Sequence, residues 1–125
     1  SPENQIATDK VWHELAFGLE SLGLDTPTIR RRVAEIASYF GIQNWFYKPV
    51  AELSGGQRRR VEIARALLCG GCAVILDEPF TGLDASARDA TAEAVLDLLE
   101  GRMLLLATHD VADAQALDIS DIITL

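Results

Sequence analysis

Lysine is almost missing from this chain. Only Lys10 and Lys48 occur in 125 residues, and neither follows a glycine. A phosphate-binding P-loop of the form G-x-x-x-x-G-K-[ST] is therefore absent; Gly18 and Gly23 have the right separation, but Leu24 stands where the lysine must be. Cations are few altogether, 11 Lys+Arg against 19 Asp+Glu, for a formal charge of −8. That balance argues against nucleic acid or an anionic membrane as the partner of the general surface. Two cysteines, Cys69 and Cys72, are too few for a disulfide scaffold. Their C-x-x-C spacing has no nearby Cys or His to complete a structural zinc set, so chance is the better reading. No apolar run approaches the ~20 residues that span a bilayer. There is no initiator Met; the only methionine is Met103.

What remains is an ordinary globular composition, 49% hydrophobic and 24% charged, at about the length of one domain. Thr8 and Asp9 lead into an apolar pattern at helical spacing, Val11, Leu15, Leu19 and Leu22, ended by Gly23 and Pro27. A second helix starts at Thr26 or Thr28, buries Ile29, Val33, Ile36, Ala37 and Phe40, and stops at Gly41. Residues 42–52 read as an aromatic-rich loop, with Trp45, Phe46 and Tyr47 packing the helical part. Ser54 then caps a third helix carrying Val61, Ala64, Leu67 and Leu68.

After Gly70 and Gly71 the texture changes. Ala73-Val74-Ile75-Leu76 and Met103-Leu104-Leu105-Leu106-Ala107 are apolar without alternation, which predicts strands buried on both faces. A helix capped by Asp84 and ended by Gly101 separates them, a short helix covers 110–117, and 122–125 begins a third strand. Strands alternating with helices predict βαβ units and a parallel sheet, so a helical unit (1–70) precedes part of an α/β core (71–125).

In such sheets the chemistry sits beyond the carboxyl ends of the strands. Two of those ends are loaded. Asp77 and Glu78 emerge together after the first strand, where one acid can hold a hard cation and the other polarise a water. Thr108-His109-Asp110 follows the second strand, and the histidine there can meet a phosphate oxygen or a water. Ser54-Gly55-Gly56-Gln57 opens a helix, where bare backbone and free N–H groups attract anions. Each feature alone has a blander explanation: a solvated strand end, a structural histidine, a capped turn. Arg30-Arg31-Arg32 reads as a solvated face, and Arg58-Arg59-Arg60 adds positive potential just after the glycines, although consecutive residues point around a helix and cannot all reach one ligand.

The combination carries more than its parts. Leu-Ser-Gly-Gly-Gln at 53–57, Ile-Leu-Asp-Glu-Pro at 75–79, Gly-Leu-Asp at 82–84 and Thr-His-Asp at 108–110 resemble, in order and spacing, the motifs of ATP-binding cassette (ABC) ATPases. The resemblance covers essentially the whole chain. It implies a partial P-loop NTPase core with parallel strands, preceded by the ABC helical subdomain. It also implies that Ser54, Gly55, Gly56 and Gln57 are the signature, Asp77 the Walker B magnesium residue and Glu78 the catalytic carboxylate. Asp84 matches the D-loop aspartate and His109 the switch histidine. Residues 1–20 are similar to energy-coupling-factor ATPases, which power uptake of cobalt, nickel and vitamins.

By this resemblance ATP and Mg2+ are the expected ligands. A second ABC ATPase subunit, identical or paralogous, and transmembrane transporter subunits are the expected partners, at the cytoplasmic face of the membrane and with no nucleic acid. The missing P-loop implies a fragment that begins after the Q-loop and is inactive alone, with unpaired strand edges that favour self-association. Two other readings stay open: a soluble ABC ATPase outside transport, disfavoured by the compact first half and the charge, and a noncatalytic module lending its signature loop in trans.

Overall fold

The computed structural model describes residues 10–69, 71–119 and 121. Every helix start leaves N–H groups without partners, and this chain meets that need in different ways. Helix α1, Val11–Ser21, has Lys10 in the capping position and no side-chain cap; Thr8 and Asp9 lie outside the described residues. The backbone of the aromatic loop supplies the acceptors instead, with Val11 N–H donating to Lys48 O at 3.1 Å and Trp12 N–H to Phe46 O at 3.1 Å. Helix α2, Thr26–Phe40, is capped by Asp25, whose Oδ1 accepts from Thr28 N–H at 3.0 Å. Of the two starts that the sequence offered, Thr26 or Thr28, the helix begins at Thr26, and Pro27 fits its first turn. Gly41, at φ +67°, closes the helix in the left-handed region.

Two short 3-10 turns, Gln43–Trp45 and Val50–Glu52, occupy the segment expected to be loop. Helix α3, Gly55–Cys69, follows. Its buried residues are Val61, Ile63, Ala64 and Leu67, with Leu68 half-buried. Helices α1, α2 and α3 pack on one another around Val11, Leu15 and Leu19, which are fully buried, and each such side chain contributes about 1.5–3 kcal/mol. Gly18 lets α1 and α3 approach closely: a Cβ there would stand 2.1 Å from Cys69 Sγ. Glu14 and Arg65 add an ion pair across the same two helices.

The second half is a β–α–β unit. Strand β1, Ala73–Asp77, runs parallel to β2, Met103–Ala107, in the register Ala73↔Met103 through Asp77↔Ala107. Helix α4, Ala85–Leu99, connects them, and α5, Val111–Ala116, follows β2. Asp84 caps α4 through Ala87 N–H at 2.7 Å. The expectation of burial on both sheet faces is corrected here. Val74 and Leu76 are buried beneath α3 and its neighbours, whereas Ile75, Met103 and Leu105 are exposed. Successive strand residues alternate between faces, and among the described residues helices cover only one of them. The third strand expected at 122–125 lies outside the described residues.

Arg102 joins the ends of two helices. Its guanidinium donates to Leu67 O of α3 at 2.7 Å, and to Leu98 O and Leu99 O of α4, both at 2.9 Å. Among the described residues, no helix is long and apolar enough to cross a membrane.

Candidate functional site

The parallel pairing of β1 and β2 brings both loaded strand ends together. The ladder continues one step past β1, where Glu78 N–H donates to Ala107 O at 2.8 Å. The backbone then turns sharply, with Glu78 at φ +45°, a left-handed conformation that is uncommon for a residue other than glycine. Thr81 secures the turn by donating from its N–H at 3.4 Å and its hydroxyl at 3.2 Å to Glu78 O. Pro79 and Phe80 are buried beneath it.

This turn aims the half-buried Glu78 side chain at the loop after β2. His109 Nε2 lies 3.6 Å from Glu78 Oε1, an ion pair when the imidazole is protonated. The other carboxylate oxygen is 3.5 Å from Thr108 Oγ1. His109 is 97% exposed, so the imidazole is held by little besides the acid and is free to meet a ligand from solvent. Asp77 follows Ile75 on the open face of the sheet. It is exposed, and its carboxylate has no hydrogen-bond partner among the described residues.

The glycine pair forms a separate cluster. Gly55 is exposed and a Cβ there would meet nothing within 4 Å. Neither Gly55 nor Gly56 has positive φ, so the fold itself does not demand glycine at Gly55. An open helix tip without side chains is a place where a ligand can reach the backbone. Ser54 and Gln57 cap this tip reciprocally, Gln57 N–H to Ser54 Oγ at 3.2 Å and Ser54 N–H to Gln57 Oε1 at 3.0 Å. A Cβ on Gly56 would lie 3.7 Å from Leu83, which places the tip beside the turn that ends in Asp84. No hydrogen bond or ion pair among the described residues joins this cluster to Glu78 and His109.

The residues fit a divalent cation shared with a phosphate ligand, not a protein cage. Among the described residues no group of three or more His, Cys, Asp and Glu could hold a metal ion by itself. Mg2+ in phosphate-binding sites takes one or two carboxylates and fills its octahedron with waters and phosphate oxygens, and the free Asp77 carboxylate suits that role.

Two contributors escaped sequence reasoning. Asp113, on α5, is only 7% exposed and accepts the Thr108 hydroxyl at 3.0 Å. An acid set among alanines on a short helix was the available signal. Arg102 gave none, because its three acceptors are backbone carbonyls. A groove of about 610 Å³, lined by Trp12, Leu24, Ile29, Val33 and Phe46 among others, shares no residue with either cluster.

The chain is also similar in sequence to known proteins. A family description for ABC transporters matches residues 2–81. The chain is 40% identical over 114 residues to a Streptomyces coelicolor protein named as an ABC transporter ATP-binding protein, covering 86% of this chain and 20% of that one. It is 32% identical over 120 residues to the energy-coupling factor transporter ATP-binding protein EcfA of Syntrophomonas wolfei, covering 94% of this chain and 44% of that protein. EcfA of Methanocaldococcus jannaschii is 36% identical over 112 residues, 89% of this chain and 40% of its own length. The chain thus spans between a fifth and somewhat under half of these relatives. With paired acids closing β1, a histidine closing β2 and a glycine-floored helix tip in its fold, the chain belongs to the ABC transporter family.

Proposed function

We propose that the chain is part of the ATP-hydrolysing subunit of an uptake transporter, similar to the energy-coupling-factor ATPases among its relatives. In this reading, residues 1–70 form the helical signature subdomain and 71–125 part of the catalytic core. The observation that carries it is the convergence of Glu78 and His109, 3.6 Å apart at the carboxyl ends of adjacent parallel strands.

Glu78 orients a water and accepts its proton, and His109 donates to the terminal phosphate. Asp77 would hold Mg2+, which would supply charge neutralising the phosphates. Ser54, Gly55, Gly56 and Gln57 receive the phosphates of a nucleotide held by a second ATPase subunit, and Asp84 contacts that subunit. The pair works at the cytoplasmic face of transmembrane subunits, and the solute is a metal ion or vitamin. Hydrolysis needs a P-loop from outside these 125 residues, because no lysine here can meet the β and γ oxygens. The chain alone therefore turns over no ATP.

The test is ATP hydrolysis by the full-length protein carrying this chain. Glu78→Gln lowers kcat by about 100-fold or more while nucleotide binding persists. Turnover at the parent rate in Glu78→Gln overturns the assignment.

A further inference from the structure

Thr108 stands between two carboxylates and has one proton to give. Its Oγ1 lies 3.0 Å from Asp113 Oδ2 and 3.5 Å from Glu78 Oε2. The backbone N–H of Asp110 donates to the same oxygen at 3.1 Å, so the hydroxyl is already filled as an acceptor on that side. Its proton goes to the nearer oxygen, that of Asp113. Asp113 is itself fixed: it is 7% exposed, its N–H donates to Asp110 O at 3.1 Å, and its carbonyl accepts from Leu117 N–H at 3.3 Å.

We infer that Asp113 is a positioning residue which draws the Thr108 proton away from Glu78 and so leaves the Glu78 carboxylate free to accept a proton from water. This rests on the reading of Glu78 as the group that activates water. A hydrogen bond donated to Glu78 Oε2 would occupy a carboxylate oxygen that a water must reach. Glu78 has no such donor within 3.4 Å among the described residues, although a hydroxyl lies only slightly farther away. The buried acid on α5 accounts for that arrangement.

Asp113→Asn keeps the shape but places an amide donor against Thr108. The hydroxyl then turns toward Glu78. In the full-length protein carrying this chain, Asp113→Asn lowers kcat about tenfold with KM for ATP changed less than about twofold. Thr108→Val removes the proton in dispute, and the double variant Thr108→Val/Asp113→Asn recovers most of the lost kcat. Thr108→Ser, which keeps the hydroxyl, runs at the parent rate. A general loosening of the fold would not be relieved by a second substitution. The inference is overturned if Asp113→Asn leaves kcat unchanged, or if the double variant is as slow as Asp113→Asn. Should Asp113→Asn not fold, Thr108→Val alone decides: kcat within about twofold of the parent supports the inference, and a tenfold loss overturns it. Glu78→Gln is measured alongside. If it turns over normally, the role of Glu78 itself has failed, and that result is separate from anything seen at Asp113.

Discussion

Ser54 and Gln57 each hold the other's backbone N–H, at 3.2 Å and 3.0 Å, at the open end of α3. The Ser54 oxygen spends a lone pair on this cap but keeps its own proton. The residue can therefore close the helix and donate to an anion at the same time. These two duties respond differently to substitution. Ser54→Ala loses both and lowers stability by about 1 kcal/mol in urea unfolding. Ser54→Asp keeps the cap and unfolds close to the parent midpoint, yet its charge repels phosphate, so ATP turnover in the full-length protein is lost.

Arg102 satisfies three carbonyls at the ends of α3 and α4. Removing it leaves half-buried acceptors and takes a cation from two helix C-termini. Arg102→Met keeps much of the aliphatic volume and is expected to cost about 2 kcal/mol, read as a shift in the urea midpoint without a change in slope.

The contact between Gly18 and Cys69 is a notch filled by sulfur. Gly18→Ala overpacks it and lowers stability by about 2 kcal/mol. Cys69→Gly is mildly destabilising alone but relieves most of the loss in the double variant, because the clash is with that one side chain. Burial also pushes the Cys69 thiol up, so alkylation near neutral pH modifies exposed Cys72 first.

Asp25 carries a pH signature. The hydrogen bonds from Thr28, side chain and backbone, hold its carboxyl below the usual aspartate range. A lowered folded value means that this contribution is complete above the unfolded value near about 4 and disappears as pH falls through the lower folded value. Stability therefore declines below about pH 4, and Asp25→Asn flattens that part of the profile. Urea midpoints measured from pH 6 downward check it.

Much of this structure could be read from residue order. The face Ile29, Val33, Ile36, Ala37 and Phe40 follows from helical spacing, and all five are buried. Asp84 and Ser54 advertise their caps because short polar side chains precede apolar-periodic runs. Other features depend on what packs against what. Ile75 and Leu105 belong to unbroken apolar runs, and only the placement of the helices reveals that one sheet face is open. The start of α1 is hidden for the same reason, since its acceptors are carbonyls of Phe46 and Lys48, distant in sequence. At the candidate site, Glu78 and His109 were legible as strand-end residues. The part played by Asp113 was not, because it depends on a half-ångström difference between two acceptors of one hydroxyl.

The guanidinium of Arg102 also has a mechanical consequence. Helices α3 and α4 each run 15 residues, about 22 Å, from a tip at Ser54 or Asp84 to the same clamp. One side chain anchors both helices at their C-terminal ends, so the glycine-floored tip and the Asp84 turn sit at the far ends of two elements fixed to a common point.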